Sequence, residues 1–335
     1  MKTEMHRVAV VLVSLGLLSV SAMAQEYHLL KEIPAREGGA WAAMAVDETT
    51  HRLYAAHGNR VEVINLNSDA PAGAITDVPD IRGFALGPNF HMGYATSGKT
   101  QCASLVDLNT LRRGEKMKTG ANPTAMVYEP GKLQLYAFNQ GDHSATAAEA
   151  DDGDFLATID LGGKPTGAVA EAAAYDTTNP RVFASIEDKN EVVAIDGATH
   201  KISSRWAVAP GQSPQGLACD PANHLLFVAC TNDLLLALDS TAGKVVASVP
   251  VGGGAGTVAF DPGTREIFCA SSDGTVTIAQ ADTAGKMDVL QTIKTKAGAT
   301  VLAADAKTHK VYLGAADFVN GAPVAGSLKI SVYGK

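Results

Sequence analysis

Basic charge is what this sequence most lacks. Its 27 Lys and Arg face 35 Asp and Glu, a formal balance of −8. That deficit argues against a general nucleic-acid or anionic-membrane surface, which shows as a basic stripe. Long apolar runs are missing too. Val8 to Val20 is the longest, short of the roughly 20 residues that span a bilayer, and no later segment approaches it. Cysteine is sparse, with 4 in 335 residues, and no C-x-x-C-H haem attachment or paired C-x-x-C zinc pattern occurs. Helical periodicity is nearly absent after the first two dozen residues.

The start of the chain reads as a secretory leader. Lys2 and Arg7 precede the apolar stretch, and Ala22 and Ala24 fit an A-x-A cleavage site before Gln25. No Cys follows to accept a lipid. Without Lys2, Arg7 and Glu4, the counts of 27 basic and 35 acidic fall to 25 and 34, or −9. The expected organisation is a signal peptide over 1–24 and one domain over 25–335, delivered to the periplasm or secreted. Export invites disulfides, but the spacing opposes the obvious pair. In a hairpin across Asp220 to His224, Cys219 pairs near Leu226, which leaves Cys230 about 13 Å away at ~3.3 Å per residue. A disulfide needs Cα atoms within about 7 Å. Four free thiols are expected, with Cys102 and Cys269 at apolar strand positions of other repeats.

One four-strand unit recurs along the chain. A small-residue strand ends in an acidic turn residue, and a polar turn follows. A second strand carries a central aromatic, a Gly/Asn/Asp loop leads to an alternating third strand, and a fourth runs into a Gly-rich connection. The clearest copy is Pro214 to Pro221, Leu225 to Ala229, Leu234 to Asp239 and Lys244 to Val251. The next repeats it from Thr257 through Ala281. The end of the first strand tracks through Asp47, Gly87, Glu129, Glu171, Asp220, Asp261 and Asp305, at intervals of 40, 42, 42, 49, 41 and 44 residues. A period of ~40–45 with four strands per unit is the spacing of propeller blades. The third-to-fourth-strand turns recur as well, in Asp196 to Lys201, Asp239 to Lys244 and Asp282 to Lys286, where Asp bonds backbone two residues on. The last unit, Thr300 to Tyr333, lacks a fourth strand, while Tyr27 to Pro34 is a strand without a unit. Donating one to the other ties the termini together and removes the open edge. The predicted fold is an all-β, seven-bladed β-propeller closed by its N-terminal strand.

These repeats resemble the YVTN-type propeller family in its bacterial, YncE-like branch, most closely from Pro214 to Asp282. The positions matching the name-giving tetrapeptide read Tyr54-Ala55-Ala56-His57, Phe183-Ala184-Ser185-Ile186 and Phe227-Val228-Ala229-Cys230, without its Asn. The resemblance implies a seven-bladed propeller and an exported location. Related propellers include lactonases and the haem-bearing domain of cytochrome-type nitrite reductases.

Propellers bind ligands at the mouth of the central channel. Aligning the units places Ala42, Arg82, Thr124, Thr166, Gln215, Gly256 and Thr300 in one ring at the starts of the innermost strands. It holds one cation, no carboxylate and no histidine, which weighs against a metal lactonase, since hard cations need several oxygen ligands. Arg82 either clamps a carboxylate or phosphate or pairs with Asp80. Trp41 either stacks a ligand or packs as a lid. The polar loop Asn139 to Ser144 includes Asp142 and His143. Neighbours on a strand face opposite ways, so Asp142, His143 and Ser144 do not make a triad among themselves. Glu187 to Asn190 lies at the same level of blade four.

His51, His91, His224 and His309 each fall four residues after their strand-end mark, on separate blades too far apart to share an ion. The blade-six equivalent is Arg265. The cluster Glu149 to Asp154 has the composition of a calcium loop but not its spacing, and reads as a third-to-fourth-strand turn. The expectation is therefore a monomeric, non-enzymatic binding or scaffold propeller. It takes a small molecule, peptide or protein at the channel mouth around Trp41, Arg82, Thr124, Asn139, Asp142, His143, Thr166, Glu187, Gln215 and Thr300, with no metal or cofactor. The alternative is a lactonase-like hydrolase with its site at the same mouth.

Overall fold

The structure is a computed structural model that describes residues 26–36, 39–162, 173–176, 179–319, 322–324 and 326–335. The expected leader, and the ring position Thr166, lie outside the described residues. Seven four-stranded antiparallel sheets follow one another along the chain. Their innermost strands are Trp41–Asp47, Ile81–Gly87, Pro123–Glu129, Ala173–Asp176, Pro214–Asp220, Ala255–Asp261 and Val301–Asp305. Each touches the next, and the last touches the first, so the sheets close into a ring.

Closure is the one read from the repeats. His28–Pro34 pairs antiparallel with Lys329–Gly334, from His28 against Gly334 to Pro34 against Lys329, and becomes the outer strand of blade seven. Tyr27 anchors it. Its hydroxyl shares its one proton between the Glu266 carboxylate at 2.9 Å and the His309 carbonyl at 3.0 Å, and its ring packs edge-on against Phe268. A small hairpin, Phe318–Val319 with Ala322–Pro323, is inserted before the last strand and has no counterpart in the repeat.

The hydrophobic core is divided into seven slots, each between two consecutive blades. The second strand of every blade is buried on both faces because alternate residues enter different slots. Leu53 and Ala55 pack towards blade seven, whereas Tyr54 and Ala56 pack towards blade two. One aromatic per blade fills the forward slot: Tyr54, Tyr94, Tyr136, Phe183, Phe227, Phe268 and Tyr312, each at most 1% exposed. Each lies seven residues after the end of its innermost strand. That constant spacing corrects one mark taken from the sequence. Blade four's innermost strand ends at Asp176, paired with Arg181, rather than at Glu171. Counting back from Asp176 as in the other blades puts Glu171 in the sequence position assigned above to Thr166; both lie outside the described residues.

The acid at each strand end holds its own turn. Asp47 accepts from the amides of Thr49 and Thr50, Glu129 from Gly131 and Lys132, Asp261 from Gly263, and Asp305 from Lys307. Blade two has Gly87 there because the Tyr94 hydroxyl occupies the space, and a Cβ would sit 2.6 Å from it. The residue four further on is left-handed at His51, His91, Leu133, His224, Arg265 and His309. Three of these reach back to the previous blade's acid. His51 Nε2 meets Asp305 Oδ2 at 2.9 Å, His309 Nδ1 meets Asp261 Oδ2 at 2.7 Å, and Arg265 pairs with Asp220 at 2.9 Å. Two of the four matched histidines, His51 and His309, are thus latches between blades, as is Arg265 at the equivalent position of blade six.

The cysteine geometry is as read. Cys219 pairs with Leu226, Cys230 with Pro214, and all four thiols are free. Glu149 to Asp154 is the turn between the third and fourth strands of blade three, closed by Asp152 accepting from the Asp154 amide.

Candidate functional site

Adjacent innermost strands approach closely near the axis, and blades two and five carry glycine directly after the ring position. A Cβ on Gly83 would lie 2.2 Å from the Thr124 carbonyl, and one on Gly216 would lie 2.1 Å from that of Gly256. The strands leave a channel cavity of about 320 Å³, lined by Ala42, Arg82, Gln215, Gly256 and Thr300 among others. Five of the seven ring positions read from the sequence therefore share one cavity. Beside it a second concavity of about 480 Å³ opens at the upper mouth, where the second-to-third-strand loops converge. Trp41, Asp80, Arg82 and Thr124 line it.

Arg82 is the cation of this mouth. Its side chain is half exposed, and the Asp80 carboxylate lies 3.3 Å from its Nε. Gly98 makes room for the group, since a Cβ there would fall within 3.1 Å of Asp80, Arg82 and Asn122 together. Asn122 in turn donates to Gln140 at 2.9 Å. Trp41 is tied down, donating from Nε1 to the Ala315 carbonyl at 3.0 Å and meeting the His57 ring edge-on at 5.0 Å. Gly314 accommodates it, for a Cβ there would lie 2.6 Å from the indole. The indole is held in place by these contacts and also forms a wall of the concavity. Thr124 donates to the Phe138 carbonyl at 3.3 Å and its own carbonyl receives Thr96 Oγ1 at 2.8 Å.

On blade four Glu187 opens a 3₁₀ turn over Glu187–Lys189. Burial pushes its carboxyl above the usual range, a hydrogen bond with Gln215 pulls it back in part, and Asp188 adds to the rise. This couples Glu187 to Gln215, a ring residue of the channel cavity.

In the blade-three loop Asp142, Asn139 and Ser144 are tied together by hydrogen bonds. Asp142 accepts from the Ala121 amide at 2.9 Å and from Ser144 Oγ at 2.6 Å, and buried Asn139 donates to Ser144 and Thr146. His143 is buried, left-handed, and neither ring nitrogen has a hydrogen-bond partner. The three residues do not form a triad. Asp142 has counterparts that the sequence reading did not align. Asn190 accepts from the Ser213 amide, Asn232 from Gln212, and Asp273 from Gly253. Each secures the connection that enters an innermost strand. The recurring Asp or Asn in these loops was the available signal. Among the described residues no group of three or more His, Cys, Asp or Glu is placed to hold a metal ion.

No family model matches the chain, and no curated protein matches it. Among solved structures the fold is similar to a chain of Kuenenia stuttgartiensis hydrazine synthase, with a TM-score of 0.70, 13% identity, and coverage of 85% of this chain and 94% of that one. At that identity the likeness is one of fold.

Proposed function

We propose that this chain is an exported, YVTN-type binding propeller whose upper channel mouth takes the carboxylate or phosphate of a small molecule, peptide or protein partner. The observation that carries the reading is Arg82, half exposed in a 480 Å³ concavity with one carboxylate beside it at 3.3 Å. Guanidinium presents a rigid fork of donors that matches planar or tetrahedral oxyanions. An arriving anion replaces the Asp80 contact, while Thr124, Asn122 and Gln140 supply neutral polar neighbours. Trp41 shapes the wall, and the Glu187–Gln215 pair marks the far side of the ring.

Export is supported by the pattern over residues 1–24, and the thiol chemistry is compatible with it. Burial pushes Cys219, Cys230 and Cys269 up to about 12. Thiols held protonated react slowly with oxidants, so unpaired cysteines are tolerable outside the cytoplasm.

The test is a thermal-shift and calorimetric screen of carboxylates, phosphates, sugars and lactones against the mature chain and Arg82→Gln. Binding of anions should raise the melting midpoint, weaken with added salt, and fall roughly tenfold or more in the variant, as for loss of a charge-assisted contact. Equal anion binding by both proteins would refute the assignment. Turnover of a lactone that is lost in Arg82→Gln would replace the binding reading with a hydrolase.

A further inference from the structure

The channel has a second end. At the lower mouth, where the innermost strands finish, the residue before each strand-end mark is Val46, Leu86, Tyr128, Tyr175, Cys219, Phe260 or Ala304. All seven are apolar or aromatic, in contrast to the hydroxyls, amide and guanidinium at the described positions of the upper ring. Blades one to four frame a cavity of about 340 Å³ there, with Val46, Leu86, Pro88 and Pro130 as apolar walls and Tyr128 and Tyr175 as aromatic ones. Its volume is in the range of small-ligand sites.

Three observations give this cavity a chemistry. Tyr175 is more than a third exposed, which leaves ring surface facing the opening. Tyr128 is 3% exposed and forms a fixed aromatic wall of the cavity, its ring packed against Phe90 and Tyr94. Glu48 lines the cavity, is exposed, and lies near enough for its charge to act on the Tyr175 hydroxyl. The neighbouring Asp47 has its oxygens engaged by Thr49 and Thr50, so Glu48 is the carboxylate available to a ligand.

We infer that the lower mouth is a binding site for a small organic cation, an ammonium group carried on an apolar or aromatic body. The ammonium meets the Glu48 carboxylate and the face of Tyr175, since a cation over an aromatic ring is attracted by its quadrupole. The apolar body lies against Leu86, Val46, the two prolines and the Tyr128 side chain. This site is separate from the upper mouth and opposite to it in preferred charge.

The experiment is calorimetry or ligand-observed NMR with benzyltrimethylammonium and phenethylammonium, against phenylacetate and benzyl alcohol as anionic and neutral probes of similar body. Both cations should bind the full-length mature chain, phenylacetate and benzyl alcohol at least roughly tenfold more weakly. Glu48→Gln should weaken the cations by a similar factor, as should Tyr175→Leu. Glu48 is exposed, so its variant keeps the test intact should Tyr175→Leu fold poorly. Inorganic phosphate, the simplest probe of the upper mouth, should not displace the cations. Cation binding unchanged in Glu48→Gln, equal binding of phenylacetate, or no cation binding at all would each overturn the assignment, whatever the result at Arg82.

Discussion

Each forward-slot aromatic is a single side chain that fills the gap between two sheets. Phe227 shows the consequence. It is fully buried, packs at 5.1 Å from Phe260 of blade six, and shares its slot with Leu235, Ile267 and Cys269. Its rigid neighbours are strands held by ladder hydrogen bonds, so the slot collapses little when emptied. Phe227→Ala should cost about 3–5 kcal/mol, read as a lowered urea midpoint with an unchanged slope. His51 illustrates the polar counterpart. It bridges Asn67 and Asp305, and Asp305 is completely buried. His51→Ala leaves the carboxylate with its turn partners only and should destabilise by about 1–3 kcal/mol. His51→Gln, able to donate to Asp305, should recover part of that loss.

The N-terminal strand is the element on which closure depends. His28–Pro34 contributes no slot of its own, yet it covers the backbone edge of Lys329–Gly334 and brings Tyr27 onto Glu266. Removal exposes a strand edge able to recruit another chain. A mature chain lacking residues 25–34 should melt lower by on the order of 10 °C and form dimers or larger species in size-exclusion chromatography. A truncated chain that melts like the full one and stays monomeric would show that the remaining strands of blade seven suffice.

For the molecule as a whole, acid should loosen the ring. Burial alone would raise Asp305 and Asp47, but hydrogen bonds outweigh it and hold both carboxyls below their usual range. Thr308, His51 and the Lys307 amide act on Asp305, and Thr49 and Thr50 on Asp47. A folded-state value below the unfolded one, about 3.9 for Asp, means the stabilisation is complete above that pH. It drains away as pH falls through the folded value. Chemical denaturation should therefore show near-constant stability from neutral pH down to about pH 5 from these groups, then a fall below about pH 4. Asp305→Asn should be less stable at neutral pH and lose less on acidification. An acid profile identical to the parent's would contradict the role given to this carboxylate.

Much of this architecture is written locally. Four strands per unit, the turn acids, the missing last strand and the unpaired first one follow from alternation and turn chemistry that act within ten or so residues. They predict seven blades and their closure without any contact in hand. The free thiols follow equally from strand arithmetic, as the pairing of Cys219 with Leu226 shows. Blade four was misplaced because the mark followed an acid, Glu171, when the more constant signal was the aromatic seven residues after the strand end, here Phe183 after Asp176. What the sequence could not express was which polar groups are spent on the fold and which remain for a ligand. Asp142 and Arg82 are both charged residues near one mouth, and they differ only in their partners. A backbone amide and Ser144 engage Asp142, while Arg82 is left half exposed beside one carboxylate. Those partners come from other strands and loops, and the ring alone brings them together. For the same reason the lower cavity, drawn from strand ends as distant in sequence as Val46 and Tyr175, exists only once four blades converge on the axis.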